Sequence, residues 1–229
     1  MNSSRENEPV EAALNDGGLQ VSAGQMAIVH NIFELPLISG RDTVARSLHG
    51  IGNSENVRRR KIGLLCSIRC PGAIILKTLD LMQELRKMDV CIVSGFHSPL
   101  EQECLKVLLR GTCGIAICYA RSLPKRIPAE LIKPIEDGRL LILSAYDEKR
   151  HRATSETSAE RNKIACILAG AVFVPYASPG GKIETLCREM LGFGKRVMTF
   201  GGAHNESLLA AGVSAIAIAD ELFSAIESG

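Results

Sequence analysis

The sequence contains no tryptophan, and aromatic residues make up only 4% of its 229 residues. Proteins that bind single-stranded nucleic acid commonly stack the bases on aromatic rings, so such platforms are scarce in this chain. The chain also lacks a strong excess of charge of either sign, because its formal net charge is only +2. The protein as a whole therefore does not attract nucleic acid, and any binding of that kind needs a local basic patch.

Long apolar runs are absent too, since none approaches the roughly 18 residues that a membrane-spanning helix needs. The first residues, MNSSRENEPVEAALNDGG, lack the basic and then apolar pattern of a secretory signal. The eight cysteines are irregularly spaced and lie mostly within apolar runs, which is typical of reduced core thiols. We therefore expect a cytoplasmic protein with no membrane partner.

Hydrophobic residues make up 46% of the chain, which is enough for a sizeable buried core. From Lys61 onward, short apolar runs alternate with amphipathic stretches, a pattern typical of a parallel sheet covered by helices. We predict a Rossmann-like α/β fold with an open, mostly parallel sheet of about seven strands and helices on both faces. The runs predicted to be strands are KIGLLC, VCIVSG, GIAICYA, RLLILS, AVFVPYA, RVMTFGG and VSAIAIA.

The amino-terminal part of the chain differs from the rest. Residues 1–19 are polar and predict a loose arm or one that a partner orders. The segment MAIVHNIFELPLI is apolar enough to pack against a second subunit, so we expect a homo-oligomer. Residues 41–52 are predicted to be helical. We therefore divide the chain into an arm with a short helical segment at 1–56 and a Rossmann-like domain at 57–229.

Three turns rich in small residues follow predicted strands and lead into predicted helices. In an open parallel sheet, ligands bind beyond the carboxyl ends of the strands, where helix amino-termini present unpaired N–H groups. Phosphate recognition needs backbone amides, hydroxyls and a cation to converge, so the turns together predict an anion or nucleotide site. Alternatively, each turn is only a tight connection. The site residues predicted in these turns are Ser67, Arg69, Ser94, Gly95, Ser178, Gly180, Gly181 and Lys182.

The segment after the fourth predicted strand, AYDEKRHRATSETSAERNKIACILAG, begins with a long polar loop that contains Lys149–Arg152. Long loops in compact domains are often functional. Thr157 or Ser158 is predicted to cap the following helix, which places Arg161 in its first turn. A cation is disfavoured at that end of a helix unless it meets an anion. We therefore predict that Arg161 and Asn162 bind phosphate, or alternatively that Arg161 pairs with a buried carboxylate.

The stretches CSIRCPGAIILKTLDL, IVSGFHSPLEQECLKVLLRG, ERNKIACILAG and ASPGGKIETLCREMLGFGKRV resemble the DNA-processing protein A (Smf) family. That family belongs to a wider group of Rossmann-like proteins that includes the Lonely Guy phosphoribohydrolases. The resemblance covers about residues 51–218 and implies that the predicted site residues form a pocket for single-stranded DNA. Two departures stand out. Cys66 replaces a glycine that is usual in the family, and FHSPLEQE replaces a glycine-rich stretch that usually ends in Ala-His.

The first functional hypothesis is a binding protein without cofactor, which holds single-stranded nucleic acid or a nucleotide at this edge. Arg58–Lys61, Arg69, Arg161 and Lys182 would meet the phosphates. The few candidate aromatic platforms are Phe96, Tyr119, Tyr146 and Tyr176.

The second hypothesis is an enzyme that cleaves the glycosidic bond of a nucleoside monophosphate, as the Lonely Guy group does. The catalytic residue is unknown, with Glu184 and Glu189 in PGGKIETLCRE as candidates, although neither aligns with the acid of that group. A third possibility is a reactive thiol, because Cys66 and Cys70 flank a strand-to-helix turn. No metal site is predicted, since the histidines are scattered and no Cys-x-x-Cys pair exists.

Overall fold

A computed structural model of the protein describes residues 13–14, 28–39 and 42–227, and the side chains of residues 47–224. The strands are β1 Ala13–Leu14, β2 Ile28–Ser39, β3 Asp42–Gly52, β4 Lys61–Leu64, β5 Cys91–Ser94, β6 Gly114–Tyr119, β7 Leu140–Ser144, β8 Ala171–Phe173, β9 Arg196–Phe200 and β10 Ser214–Ile216. The helices are α1 Gly72–Leu85, α2 Pro99–Leu108, α3 Ala129–Glu136, α4 Ser155–Leu168, α5 Lys182–Gly192, α6 Glu206–Ala210 and α7 Ala219–Glu227. Two short 3-10 turns cover Ser54–Val57 and Ala203–Asn205.

The strands form one sheet with the order β1-β2-β3-β7-β6-β5-β4-β8-β9-β10. The seven strands from β7 to β10 in this order are parallel, which confirms the predicted Rossmann-like α/β fold and its seven strands. From β4 the chain builds the sheet outward to β7, and it then returns to place β8 on the other side of β4. The strand order therefore reverses between β4 and β8, and in open α/β sheets such a reversal opens a crevice that binds ligands.

The side chains of the parallel strands alternate between the two faces of the sheet, and each face is covered by its own helices. Ile62, Leu64 and Ile92 belong to a large core that includes buried side chains of α1, α2, α3 and α7. On the other face, Cys91 and Val93 pack against α4, while buried side chains of α4, α5 and α6 form a third cluster. Both faces are therefore covered, as predicted. No described helix is long and apolar enough to cross a membrane.

The prediction of a helix at residues 41–52 is wrong, because this segment contains strand β3. β3 pairs antiparallel with β2 along its length, and its residues His49–Gly52 pair antiparallel with β7. The outer edge of β7 presents backbone N–H and C=O groups that need partners, and β3 supplies them. This tertiary requirement outweighs the local preference that the sequence suggests.

The remaining predictions for the amino-terminal part are only partly covered by the described residues. The arm at residues 1–19 lies outside them, apart from the two residues of β1. Most of the segment MAIVHNIFELPLI forms β2, which pairs with β3 within the same chain. The division of the chain after residue 56 and the homo-oligomer remain predictions.

Candidate functional site

The loops that follow β4 and β8 lie against each other where the strand order reverses. The backbone N–H of Ser67 donates a hydrogen bond to the carbonyl oxygen of Tyr176 at 3.1 Å. The hydroxyl oxygen of Ser67 accepts one from the backbone N–H of Ser178 at 2.9 Å. Two turns that are far apart in the sequence are thus joined through Ser67.

A buried carboxylate joins the loop after β4 to the loop after β5. Glu101, in the first turn of α2, is only 5% exposed. One of its oxygens accepts a hydrogen bond from the N–H of Cys66 at 2.8 Å, and the other accepts from the N–H groups of His97 and Ser98 at 2.8 and 3.2 Å. Burial raises the pKa of Glu101, although these hydrogen bonds act in the opposite direction.

Sequence reasoning did not identify Glu101 as part of the site. Its spacing from Ser98 is the signal that was available, because Ser-x-x-Glu is the capping box of a helix amino-terminus, and both of its hydrogen bonds are present here. The additional bond to Cys66 arises only from tertiary packing, so the sequence does not indicate it.

The turn after β5 brings Gly95 against the side chain of Arg161. Ser94 is fully buried, and its hydroxyl accepts a hydrogen bond from the N–H of Phe96 at 3.0 Å, so it shapes the turn. A Cβ atom added to Gly95 would lie 1.8 Å from Nη1 of Arg161. A larger residue at this position would displace the guanidinium, because the guanidinium occupies the space that any side chain would need.

Arg161 does not lie where the sequence analysis predicted. The helix cap is Thr154 and α4 begins at Ser155, so Arg161 falls in the second turn and not in the first. The capping box of Thr154 and Thr157, in which each side chain accepts from the other's backbone N–H, outcompetes a later start. The side chain of Arg161 thereby projects toward the turn after β5.

The guanidinium of Arg161 is buried without a partner among the described residues. The residue is only 6% exposed, its Nε has no hydrogen-bond acceptor, and no described carboxylate lies within the 4.0 Å of an ion pair. Burial lowers the pKa of Arg161, while the negative charge of Glu101 raises it. An unpaired buried cation is costly, so this arrangement favours a bound anion. The adjacent Asn162 is half-buried.

The loop after β8 leads into α5 and is held by Glu184. One oxygen of this carboxylate accepts a hydrogen bond from the N–H of Gly180 at 2.5 Å. The other accepts from Arg188 at 2.8 Å and from the hydroxyl of Ser207 at 2.5 Å. The N–H of Gly181 donates to the carbonyl of Ser178 at 2.9 Å. The amides that remain for a ligand here are those of the first turn of α5.

Lys182 links the amino-termini of two helices. Its ammonium donates a hydrogen bond to the hydroxyl of Ser155, the first residue of α4, at 2.5 Å. The helices α4 and α5 therefore begin side by side at the same edge of the sheet, where their dipoles favour negative charge. Arg69 lies exposed in the neighbouring loop after β4, next to Ile68, which is 71% exposed.

The two candidate catalytic glutamates are both engaged within the protein. Glu184 is bound to three groups, as described above, and these hydrogen bonds lower its pKa. Glu189 accepts a hydrogen bond from Lys163 at 2.6 Å. The geometry therefore does not favour the alternative of a phosphoribohydrolase.

The basic run at Arg58–Lys61 is not brought to this site. It precedes β4 and therefore lies at the amino edge of the parallel sheet, opposite the loops that follow β4, β5 and β8. Lys61 donates hydrogen bonds to the carbonyls of Val57 and Arg59, and Arg59 pairs with Asp89 at 3.5 Å. The hypothesis that this run meets the same phosphates as Arg69 and Lys182 is wrong.

The aromatic and cysteine candidates contribute little to this group of loops. Phe96 is only 6% exposed, so it offers no face to a base, while Tyr119, Tyr146 and Tyr176 are half-buried. All eight cysteines have free thiols. The pKa of Cys70 is lowered by a hydrogen bond with Cys66, but a reactive thiol remains a prediction.

Comparisons with known proteins agree with this architecture. The family model described as DNA recombination-mediator protein A matches residues 37–226. The structure of DNA processing protein A from Helicobacter pylori, which binds single-stranded DNA, superposes with a TM-score of 0.67 at 18% identity, covering 85% of this chain and 95% of that one. A search of curated proteins finds no match.

DNA processing protein A from Streptococcus pneumoniae superposes with a TM-score of 0.66 at 17% identity, covering 77% of this chain. The match spans only 65% of the Streptococcus protein, which is less than two thirds of its length. At these identities the two structures establish the fold that the chains share.

Proposed function

Because this chain belongs to the DNA recombination-mediator protein A family, we propose that it binds single-stranded DNA at the carboxyl edge of its parallel sheet. The binding cleft lies where the strand order reverses, between the loops after β4, β5 and β8. The Helicobacter pylori relative with the same fold binds single-stranded DNA, which supports this choice of ligand.

The observation that carries the proposal is the buried guanidinium of Arg161. It lies against Gly95 without an acceptor among the described residues, in a crevice that the fold places at a ligand-binding position. A phosphate would supply the missing acceptors and the missing negative charge. A charge-assisted bond of this kind is both short and strong, because donor and acceptor are ionised.

The other predicted residues add weaker contacts around this centre. Arg69 and Lys182 are exposed cations beside the crevice, and the first turns of α4 and α5 offer backbone N–H groups. The small residues of the turns hold their shape through the hydrogen bonds described above; they are Ser67, Ser94, Ser178, Gly180 and Gly181. With few aromatic faces available, recognition would rely on phosphates and would depend strongly on salt and weakly on base sequence.

Fluorescence anisotropy with a labelled oligothymidylate at several salt concentrations tests the proposal. The affinity of the unaltered protein should fall steeply as the salt concentration rises. Arg161→Gln should weaken binding by roughly tenfold to a hundredfold, the equivalent of one lost charged hydrogen bond. The control is Arg110→Gln, an exposed arginine that follows α2 and so lies at the opposite edge of the sheet.

Two results would overturn the proposal. One is an affinity that does not change with ionic strength, since phosphate contacts must release counterions. The other is an equal loss in Arg161→Gln and Arg110→Gln, which would indicate attraction to charge in general. Competition by nucleoside monophosphates, in place of DNA, would assign the cleft to a nucleotide.

A cytoplasmic location is supported by eight free thiols, which persist in a reducing compartment. A homo-oligomer is proposed from the apolar segment that contains β2. Light scattering at several protein concentrations measures the oligomeric state directly, and a constant monomer mass would refute the oligomer.

A further inference from the structure

Two cysteines flank the turn that carries Ser67 and Arg69. Cys66 follows β4 and is only 4% exposed, while Cys70 immediately precedes the residue that caps α1. The chain bends at Ile68 and Arg69, which are both exposed, and it returns to the protein at Cys70. The side chain of Cys70 packs against the hydrophobic cluster to which Cys66 belongs. The turn therefore brings the two thiols together at its base.

The two thiols interact directly with each other. They share a hydrogen bond, which raises the pKa of Cys66 and lowers that of Cys70. Burial also raises the pKa of Cys66, because a charged sulfur is disfavoured away from water. The sulfur of Cys70 is therefore the one that loses its proton more readily. The thiolate is the form of cysteine that reacts as a nucleophile.

The start of α1 also favours a negative charge on Cys70. The cap residue, Pro71, makes no side-chain hydrogen bond, and the first turn of the helix contains no acidic residue. The N–H groups of this turn carry a partial positive charge, which stabilises a thiolate beside them. The neighbouring thiol and the helix start thus favour the thiolate of the same residue.

Cys70 is also the cysteine that a solute reaches most easily. All eight cysteines lie among the residues whose side chains the structure describes, and of these only Cys70 is not buried. Cys104 on α2 lies near both thiols, but it is 0% exposed, and burial raises its pKa. An oxidant from solution therefore meets Cys70 first, with Cys66 as the second thiol at hand.

We propose that Cys66 and Cys70 are a reversible redox pair, which a hydroperoxide such as hydrogen peroxide converts into a disulfide. The thiolate of Cys70 attacks one oxygen of the peroxide, so that a sulfur–oxygen bond forms and the oxygen–oxygen bond breaks. The hydroxide that leaves takes up a proton and becomes water. Cys70 is then a sulfenic acid.

The second step closes the disulfide. The thiol of Cys66 attacks the sulfenic sulfur of Cys70, the sulfur–sulfur bond forms, and the hydroxyl group leaves with the proton of Cys66 as water. The two thiols together lose two electrons, and the peroxide is reduced to water. A thiol reductant reverses the reaction by thiol–disulfide exchange. Such transient disulfides are the kind that occurs in a reducing compartment.

The disulfide would reshape a turn that carries two of the predicted site residues. It requires the two Cβ atoms to lie about 3.8 Å apart, which closes residues 66–70 into a ring. Ser67 is held by two hydrogen bonds to the loop after β8, so the change falls mainly on Ile68 and Arg69. This consequence rests on the proposed function: a displaced Arg69 should weaken the binding of single-stranded DNA.

Mass spectrometry of the folded protein before and after hydrogen peroxide tests the pair. Trypsin cleaves after Arg69, so the disulfide would join two separate peptides, residues 62–69 and 70–77, with one cysteine in each. Peroxide should produce this linked pair, and dithiothreitol should separate it again. Before oxidation, brief treatment with iodoacetamide should label Cys70 ahead of the other cysteines.

Three variants assign the steps. Cys70→Ser should give neither the linked peptides nor a sulfenic acid. Cys66→Ala should stop at the sulfenic acid of Cys70, which dimedone labels. The control, Cys104→Ala, should form the same linked peptides as the unaltered protein. The mass of the unaltered protein decides the matter even where a variant does not fold. Peptides that stay separate after peroxide, or a link from Cys70 to Cys104, would overturn the inference.

Anisotropy with oligothymidylate measures the consequence for the cleft. The oxidised protein should bind roughly tenfold more weakly than the reduced protein, the equivalent of one lost charged contact. Cys70→Ser should bind equally before and after peroxide. Equal affinities of the unaltered protein in both redox states would overturn the link between the pair and the cleft. A reduced protein that binds no oligothymidylate would overturn the proposed function, whereas the peptides would still decide whether the pair exists.

Discussion

Gly95 leaves free the space that the side chain of Arg161 occupies. Replacing it with alanine would place a Cβ 1.8 Å from the guanidinium of Arg161, whose flexible end moves more easily than the backbone. We expect Gly95→Ala to displace the guanidinium and to weaken DNA binding about as much as Arg161→Gln does, by roughly tenfold or more. The free energy of unfolding should change by only about 1 kcal/mol. Anisotropy and urea titration measure the two effects.

The matched control is Gly72→Ala, at the start of α1 on the same edge, where an added Cβ meets nothing within 4 Å. That variant should bind DNA normally. If Gly95→Ala also binds normally, the guanidinium is not the centre of the site. The double variant Gly95→Ala/Arg161→Gln should bind DNA little more weakly than either single variant, because both substitutions remove the same interaction.

Glu184 makes stability depend on pH in a defined direction. Hydrogen bonds from Ser207 and Arg188, and then from Gly180, lower its pKa below the usual value of about 4.3. Because the pKa is lower in the folded protein, these hydrogen bonds stabilise the fold fully at a pH above the ordinary pKa of about 4.3. The stabilisation is lost as the pH falls through the lowered pKa of the folded protein. As the pH falls below the ordinary pKa of a glutamate, about 4.3, the urea midpoint should fall more steeply in the unaltered protein than in Glu184→Gln.

Glu206→Gln is the control for this titration, because Glu206 is exposed on the neighbouring helix α6. Its stability should follow the pH dependence of the unaltered protein. Identical pH profiles for Glu184→Gln and the unaltered protein would show that the carboxylate of Glu184 does not stabilise the loop after β8.

At the scale of elements, β3 depends on a glycine that allows close approach to β7. Gly52 has a φ of +113°, and a Cβ there would lie 2.2 Å from the carbonyl oxygen of Leu140. Because the neighbour is backbone and cannot move aside, we expect Gly52→Ala to lower the free energy of unfolding by about 3 kcal/mol or more. Denaturant titration measures this loss.

Gly192→Ala is the comparison for Gly52→Ala. Gly192 is the last residue of α5, and an added Cβ there meets no atom within 4 Å. Its replacement should leave stability unchanged or raise it by about 0.4–1 kcal/mol, since alanine restricts the unfolded chain. Equal effects of the two substitutions would contradict the close pairing of β3 with β7.

The elements also show which parts of the fold can be predicted from sequence. Strands buried on both faces form continuous apolar runs, and all seven parallel strands were found in this way. Strand β3 does not show this pattern, because only its end, at His49–Gly52, pairs with the parallel sheet.

The sequence predicts which turns share an edge of the sheet, because each of them directly follows a parallel strand. Ser67 and Ser178 belong to two such turns, and the structure brings them within hydrogen-bond distance. Their binding of a ligand stays a prediction. The link from Glu101 to Cys66 was not predictable, because it depends on how α2 packs against β4. The charge of Arg58–Lys61 suggests phosphate binding, but their position before β4 places them at the opposite edge of the sheet.

At the scale of the whole molecule, a ligand that binds only the folded protein must stabilise it. A short oligothymidylate at about 100 times its dissociation constant should add about 2.7 kcal/mol to the free energy of unfolding. For a domain of this size, such a gain raises the melting temperature by roughly 5–10 °C. Thermal melts with increasing oligonucleotide measure the shift.

The same melts distinguish the surfaces of the molecule. At the same oligonucleotide concentration, Arg161→Gln should keep only about half of the shift or less, because its affinity is at least about tenfold lower. Arg110→Gln should keep the whole shift. A melting temperature that does not respond to oligonucleotide in the unaltered protein would argue against the cleft as a binding site.

The contact between Gly95 and Arg161 also constrains how this protein can diverge. The two positions are distant in sequence, yet the side chain at one occupies the volume denied to the other. A lineage that loses the arginine releases the glycine from selection, while one that keeps the arginine tolerates no larger residue in the turn. We therefore expect the two positions to covary among relatives, with bulk in the turn appearing only where the long cation has been lost.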